Sequence, residues 1–190
     1  HFGAKAGVAI TASHNPVEWN ALKFIGSAER PVPALALSRT YALADAGTFG
    51  FRRWDRIGRR RSSDAMMDVH IRKILALPKV VDRAGIMRRR PKVVFDAGGG
   101  AAYAYGPALL ERLGCRVQRV YCMPGPRFPR GAEPVPKNLR ALGAAVQKHG
   151  ASIGFATDPD SDRLAIVDER GRPLGEERTL VLAVYWVLSR

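Results

Sequence analysis

The stretch Pro91-Lys92-Val93-Val94-Phe95-Asp96-Ala97-Gly98-Gly99-Gly100 decides the fold. Its β-branched and aromatic run reads as a buried strand, and three successive glycines mark a tight turn before a helix over Tyr103 to Leu113. The same rhythm continues outward. Arg116 to Tyr121 reads as a strand, Val135 to His149 as a helix, Ser152 to Ala156 as a strand, and Leu164 to Asp168 as another. Strands alternating with helices of this length predict a parallel-type α/β unit. Between them, Pro124 to Pro136 is a proline-rich connector without regular structure. Glu169 to Arg172 reads as a hairpin turn, and a further helix opens at Glu176.

The glycine triplet also invites a dinucleotide-binding reading. That fingerprint fails at its third glycine, where Tyr103 stands, so a strand-to-helix turn is expected.

Upstream, Gly7 to Thr11 reads as a short buried strand and Asn20 to Ile25 as its returning partner, with a loop held between them. Pro31 to Ala44 is rich in alanine and leucine and reads as a helix stopped by Gly47. Thr48 to Ser63 is basic and reads as loop that could include an edge strand. Asp64 to Leu77 reads as a helix capped by Ser62-Ser63, with Met67, Ile71, Ile74 and Leu75 on one face and Pro78 as its stop.

The 190 residues suffice for one large domain or two small ones with real cores. Hydrophobic residues make up 46% and charged residues 25%, the composition of an ordinary globular protein. The formal charge of +14 raises the question of nucleic acid. Its densest source is Arg52 to Arg61, and a second run is Arg88-Arg89-Arg90. Neither lies in a recognisable nucleic-acid module, so no nucleic-acid partner is expected. No apolar run spans a bilayer; the longest, Leu180 to Leu188, is about half the required length. No secretory signal is evident, and Cys115 and Cys122 lack metal-ligand spacing. Reduced, buried thiols and a cytoplasmic location are expected. The chain opens without Met and ends inside a predicted helix, so it is expected to be a fragment. Oligomeric state is not legible.

Two segments carry chemistry. Asp158-Pro159-Asp160-Ser161-Asp162-Arg163 concentrates three carboxylates in five residues. This alternation can turn three oxygens toward one point, and hard oxygen ligands suit Mg²⁺ rather than zinc. A calcium EF-hand loop is excluded because Arg163 occupies the position that needs glycine, although Glu169 falls at the twelfth. The other segment is Thr11-Ala12-Ser13-His14-Asn15-Pro16, which places a hydroxyl on a loop after a strand. His14 and Lys23 can both donate to phosphate oxygens. A Ser-His hydrolase pair is disfavoured, because neighbouring residues on an extended chain point to opposite sides, and no nucleophile elbow surrounds Ser13.

Together these segments resemble the α-D-phosphohexomutase family, whose members include phosphoglucosamine, phosphomannose and phosphoglucose mutases. The similarity extends to Asn20 and Lys23, to Leu164-Ala165-Ile166-Val167-Asp168, and to Phe128-Pro129, Glu133-Pro134 and Asn138-Leu139. It covers nearly the whole chain in order. The resemblance implies two mixed-sheet α/β domains, the first incomplete: residues 1–78 as the later part of domain 1, 79–172 as domain 2, and 173–190 as the first helix of a truncated domain 3.

It further implies that Ser13 carries a phosphoryl group. Mg²⁺ would be held by Asp158, Asp160, Asp162 and a phosphoserine oxygen on Ser13. His14 would support the phosphoserine, Lys23 would serve as general base or phosphate clamp, and Arg163 would contact phosphate. The activity implied is interconversion of hexose 1- and 6-phosphates through a bisphosphorylated sugar, with a lean toward phosphoglucosamine mutase and no turnover by the fragment alone. The competing expectation is a non-catalytic phosphosugar- or nucleic-acid-binding module that uses the basic surface. Ala21 stands where the family usually has glycine, and Gly98–Gly100 replaces an asparagine–glycine pattern. Neither departure is expected to touch the chemistry.

Overall fold

A computed structural model describes residues 3–28, 30–77, 80–125 and 127–189. The chain divides into two compact units, His1–Thr11 with Asn20–Ser63, and Ala12–Trp19 with Asp64–Arg190.

In the first unit, β1 (Gly7–Ile10) and β2 (Leu22–Ile25) form an antiparallel ribbon in which Ala9 lies opposite Lys23. Helix α1 (Ala34–Ala46) follows, and Gly47 ends it in the left-handed conformation at φ 61°. The ribbon differs from the buried strand expected of residues 7–11. Side chains alternate between faces, and the sheltered positions fall to small Gly7 and Ala9, leaving Val8 and Ile10 exposed. Residues 48–63 contain a single 3₁₀ turn, Trp54–Arg56, and no edge strand.

The second unit holds every fully buried hydrophobic side chain among the described residues. Its first helix is α2 (Ala65–Leu75), whose N-cap is Asp64, one residue past the serines expected there. Only Ile71 of its apolar face is wholly buried. Pro78, the expected stop, lies outside the described residues. Helix α3 (Arg83–Arg89) has no counterpart in the sequence expectations. Its signals are local: Asp82 accepts a cap hydrogen bond from Gly85 N–H at 2.9 Å, and Arg90 closes it at φ 45°.

Next come β3 (Lys92–Asp96), α4 (Ala102–Arg112), β4 (Arg116–Val120), α5 (Arg140–His149), β5 (Ile153–Thr157), β6 (Leu164–Val167) and α6 (Glu176–Leu188). The sheet order is β4-β3-β5-β6, parallel across the first three strands and antiparallel at the β6 edge. The sheet is therefore mixed, and the fold is α/β. Strand β3 is central, which explains its unbroken apolar run: such strands are covered on both faces. One face packs Val94, Ala156 and Val167 against Leu139, Leu142 and Val146. The other sets Phe95 against α4, where Gly106 lets the helix rest on the ring. The single helix expected over Val135 to His149 is interrupted, since a 3₁₀ turn at Pro136–Asn138 precedes α5. Cys115 and Cys122 are free but half-buried, less sheltered than expected.

From β3 the chain passes through α4 to β4 on one side, then through α5 to β5 on the other. The carboxyl ends of β3 and β5 are therefore adjacent across the point where strand order reverses. In open α/β sheets such a switch point forms a crevice suited to ligands.

Candidate active site

The loop leaving β5 at this switch point is Asp158–Arg163, which returns as β6 with Thr157 opposite Leu164. One carboxylate oxygen from each of Asp158, Asp160 and Asp162 lies within 4.8 Å of the others. Asp158 has no exposed surface, Asp160 is half-buried and Asp162 is exposed, so the cluster grades from the protein interior to solvent. Asp158 Oδ1 accepts the Arg163 backbone N–H at 3.0 Å. Among the described residues, its buried Oδ2 has no hydrogen-bond donor. Burial, helped by the neighbouring Asp162 and Asp160 and opposed by the Arg163 N–H, pushes the Asp158 carboxyl up to about 6. A buried acceptor without a donor is costly. A cation held by three oxygen ligands removes that cost, so the donor set fits a hard divalent ion.

The loop is shaped by its own strain and by the glycine turn. Ser161 sits at φ 67°, and its N–H reaches back to the Asp158 carbonyl at 3.2 Å. Ala101 N–H donates to the Pro159 carbonyl at 2.7 Å, and a Cβ on Gly100 would stand 2.6 Å from the Pro159 backbone. The triplet is thus the strand-to-helix turn expected. The expectation that it stands clear of the chemistry fails at Gly100, which abuts the carboxylate loop directly. Gly98 and Gly99 adopt φ 56° and 75°.

Arg163 does not pair with the loop carboxylates through its guanidinium. Nη1 lies 3.2 Å from Glu133 and 3.7 Å from Glu176, leaving the side chain 34% exposed at the rim. Its backbone N–H, not its charge, holds Asp158.

The serine loop, Ala12–Trp19, belongs to the same compact unit as the carboxylate loop. Both the backbone N–H and the Nδ2 of Asn15 donate to the Ala12 carbonyl, at 3.2 and 2.9 Å. That tight turn holds Ser13 at φ 55°. A non-glycine residue there costs about 1–3 kcal/mol and commonly marks a functional loop. The conformation also overturns the expectation that Ser13 and His14 point apart. The backbone is not extended, and Ser13 Oγ lies 3.3 Å from His14 Nδ1, with the donor set by the histidine tautomer. Lys23 is an exposed residue of β2 in the other unit.

One pair within the site escaped the sequence. Arg130 and Asp96 form a buried ion pair at 2.9 Å, 3% and 0% exposed. Burial pushes the Asp96 carboxyl upward against the pull of Arg130. An arginine in a proline-rich connector carries no local signal of burial.

Comparison with known proteins bears on all of this. The family model for phosphoglucomutase/phosphomannomutase, alpha/beta/alpha domain II, matches residues 68–171, and that for domain I matches residues 1–49. The chain belongs to the phosphoglucomutase/phosphomannomutase family. A phosphoglucomutase/phosphomannomutase of Thermococcus kodakarensis is 35% identical over 189 residues, covering 99% of this chain and 41% of the relative. A probable phosphoglucosamine mutase of Methanothermobacter thermautotrophicus is 35% identical over 95% of this chain and 38% of its own length. A crystal structure of a family protein from Burkholderia thailandensis superposes with TM-score 0.77 at 28% identity, over 97% of this chain and 38% of that one. The chain thus spans about two-fifths of the length of these relatives. No helix among the described residues is long and apolar enough to cross a membrane.

Proposed function

We propose that this chain is the phosphoserine- and metal-bearing part of a phosphohexomutase that interconverts hexose 1-phosphate and hexose 6-phosphate, with phosphoglucosamine mutase as the preferred assignment. Residues 1–78 would form the later part of domain 1, residues 79–172 domain 2, and residues 173–190 the first helix of domain 3. The supporting observation is the Asp158, Asp160, Asp162 cluster, whose innermost carboxylate is buried and lacks a donor among the described residues. Family membership supplies the context, and phosphoglucosamine mutases among the relatives support the preference.

In this reading Ser13 Oγ carries the phosphoryl group. A free hydroxyl of the hexose phosphate attacks phosphorus, its new O–P bond forming as the Ser13 O–P bond breaks. The hydroxyl proton passes to a base, for which Lys23 is the candidate. The departing Ser13 Oγ takes up a proton, and the resulting bisphosphorylated sugar reorients. Ser13 Oγ then attacks the other phosphoryl group, its O–P bond reforming as the sugar O–P bond breaks and its proton passing to the released sugar hydroxyl. His14, within reach of Ser13 Oγ, would hold the phosphoserine. Asp158, Asp160, Asp162 and a Ser13 phosphoryl oxygen would hold Mg²⁺. When bound, that ion neutralises charge on the transferring group. The Arg163 guanidinium would meet a sugar phosphate by exchanging its Glu133 and Glu176 partners, and its backbone N–H would stay on Asp158. Hexose phosphate is the proposed substrate, and residues 1–190 alone are proposed to bind Mg²⁺ without turning it over.

Intact-mass spectrometry and kinetics of the full-length parent test the reading. A single phosphate on Ser13, lost together with mutase activity in Ser13→Ala, is the expected result. Full activity in that variant sinks it.

A further inference from the structure

Arg130 reaches the carboxyl ends of β3 and β5 at once. Its Nε donates to Asp96 Oδ2 at 2.9 Å, on the last residue of β3. Its Nη2 donates to the Thr157 carbonyl at 2.5 Å, on the last residue of β5. Asp96 Oδ1 in turn accepts the Gly98 N–H at 2.7 Å. The guanidinium rests over Gly98, where a Cβ would stand 2.9 Å from Nη2. Arg130 and its partner Asp96 therefore hold three parts of the switch point together: the end of β3, the glycine turn and the end of β5.

The Thr157 carbonyl and the Asp158 N–H share one rigid peptide plane. Fixing that carbonyl fixes the direction in which the chain leaves β5 at the first carboxylate ligand. One plane farther on, the Asp158 carbonyl accepts the Ser161 N–H at 3.2 Å, and in the plane after that the Pro159 carbonyl is held by Ala101 N–H at 2.7 Å. Asp158 thus sits between two anchored peptide planes. The pairing with Asp96 matters as well, since an uncompensated guanidinium would lower the cluster's affinity for a cation.

We propose that Arg130 is a positioning residue for the metal loop, setting Asp158 through the Thr157 carbonyl while Asp96 neutralises its charge. This rests on the metal reading given above. Outer partners of metal ligands typically govern affinity by about 10- to 100-fold. A lysine ammonium is a point charge and lacks the two fixed, separate donors, Nε and Nη2, with which the planar guanidinium meets Asp96 and Thr157. Removing the arginine alone would strand a buried carboxylate, so Arg130→Met is combined with Asp96→Asn.

The test is Mn²⁺ titration of the 190-residue chain followed by electron paramagnetic resonance, with far-UV circular dichroism establishing that each variant is folded. The unsubstituted chain should bind Mn²⁺, and Asp160→Asn should abolish binding. Arg130→Lys and the double variant should raise the dissociation constant about tenfold or more and broaden the bound Mn²⁺ signal. A merely structural role would lower thermal midpoints and leave the affinity in place. If either folded Arg130 variant binds within about twofold of the unsubstituted chain while Asp160→Asn does not bind, the positioning role is overturned and the metal reading stands. If the unsubstituted chain binds no Mn²⁺, both fall.

Discussion

Asp158 has two acidic neighbours and no exposed surface, and its carboxyl is pushed up to about 6 from 3.8. A carboxyl whose folded value lies above its unfolded one holds its proton more tightly in the native state. Its contribution to stability is therefore full below about pH 4 and is lost as the pH rises to about 6. The metal-free chain should lose urea resistance across that window relative to Asp158→Asn, and saturating Mg²⁺ should restore it above pH 6. Parallel curves for the two proteins from pH 4 to 8 would contradict this. Gly100 gives a steric prediction. A methyl group there meets the Pro159 backbone, which cannot swing aside like a side chain. Gly100→Ala should cost about 1–3 kcal/mol in urea unfolding and weaken Mg²⁺ binding in calorimetric titration. A cost under about 0.5 kcal/mol would show that the loop yields. The gathering of the three aspartate oxygens is legible because those residues are neighbours in the chain. The pairing of Arg130 and Asp96, 34 residues apart, is not.

At the scale of elements, packing separates α5 from α1. Helix α5 presses Leu142, 0% exposed, onto the sheet, whereas α1 has no fully buried residue. Leu142→Ala should therefore cost about 2–5 kcal/mol. Leu35→Ala, at a position 68% exposed, should fall within about 0.5 kcal/mol. Chemical denaturation of both variants checks the contrast, and equal costs would mean that exposure does not report packing here. Strand β3 and helix α4 are legible because hydrophobic run, glycine turn and helical spacing agree. Helix α3 is not, since seven residues with a mid-helix glycine carry little periodic signal and rely on the Asp82 cap. The break at Pro136–Asn138 is also hidden, because Val135 and Leu139 continue an apolar spacing that the 3₁₀ turn interrupts. The buried strand expected of residues 7–11 misjudges which alternate face is covered: composition is visible in a sequence, but the face is not.

For the molecule as a whole, cation binding should act on the unit that contains the ligands. At a hundredfold excess over the dissociation constant, a ligand of the native state adds about 2.7 kcal/mol. Amide exchange in β3 and β5 should slow accordingly when Mg²⁺ is added. Binding detected by calorimetry without added protection there would show that the loop is uncoupled from the sheet. The alternation of strands and helices, the glycine turn and the two chemical loops are determined by the sequence alone, because each depends on residues within a few positions of one another. The adjacency of β3 and β5, the burial of Asp158, the turn that brings Ser13 and His14 together, and the Arg130 clamp were decided only by tertiary structure. The serine turn is short, yet its left-handed backbone is not encoded by a glycine. The other features join segments from 27 to more than 50 residues apart, and no local propensity carries that information.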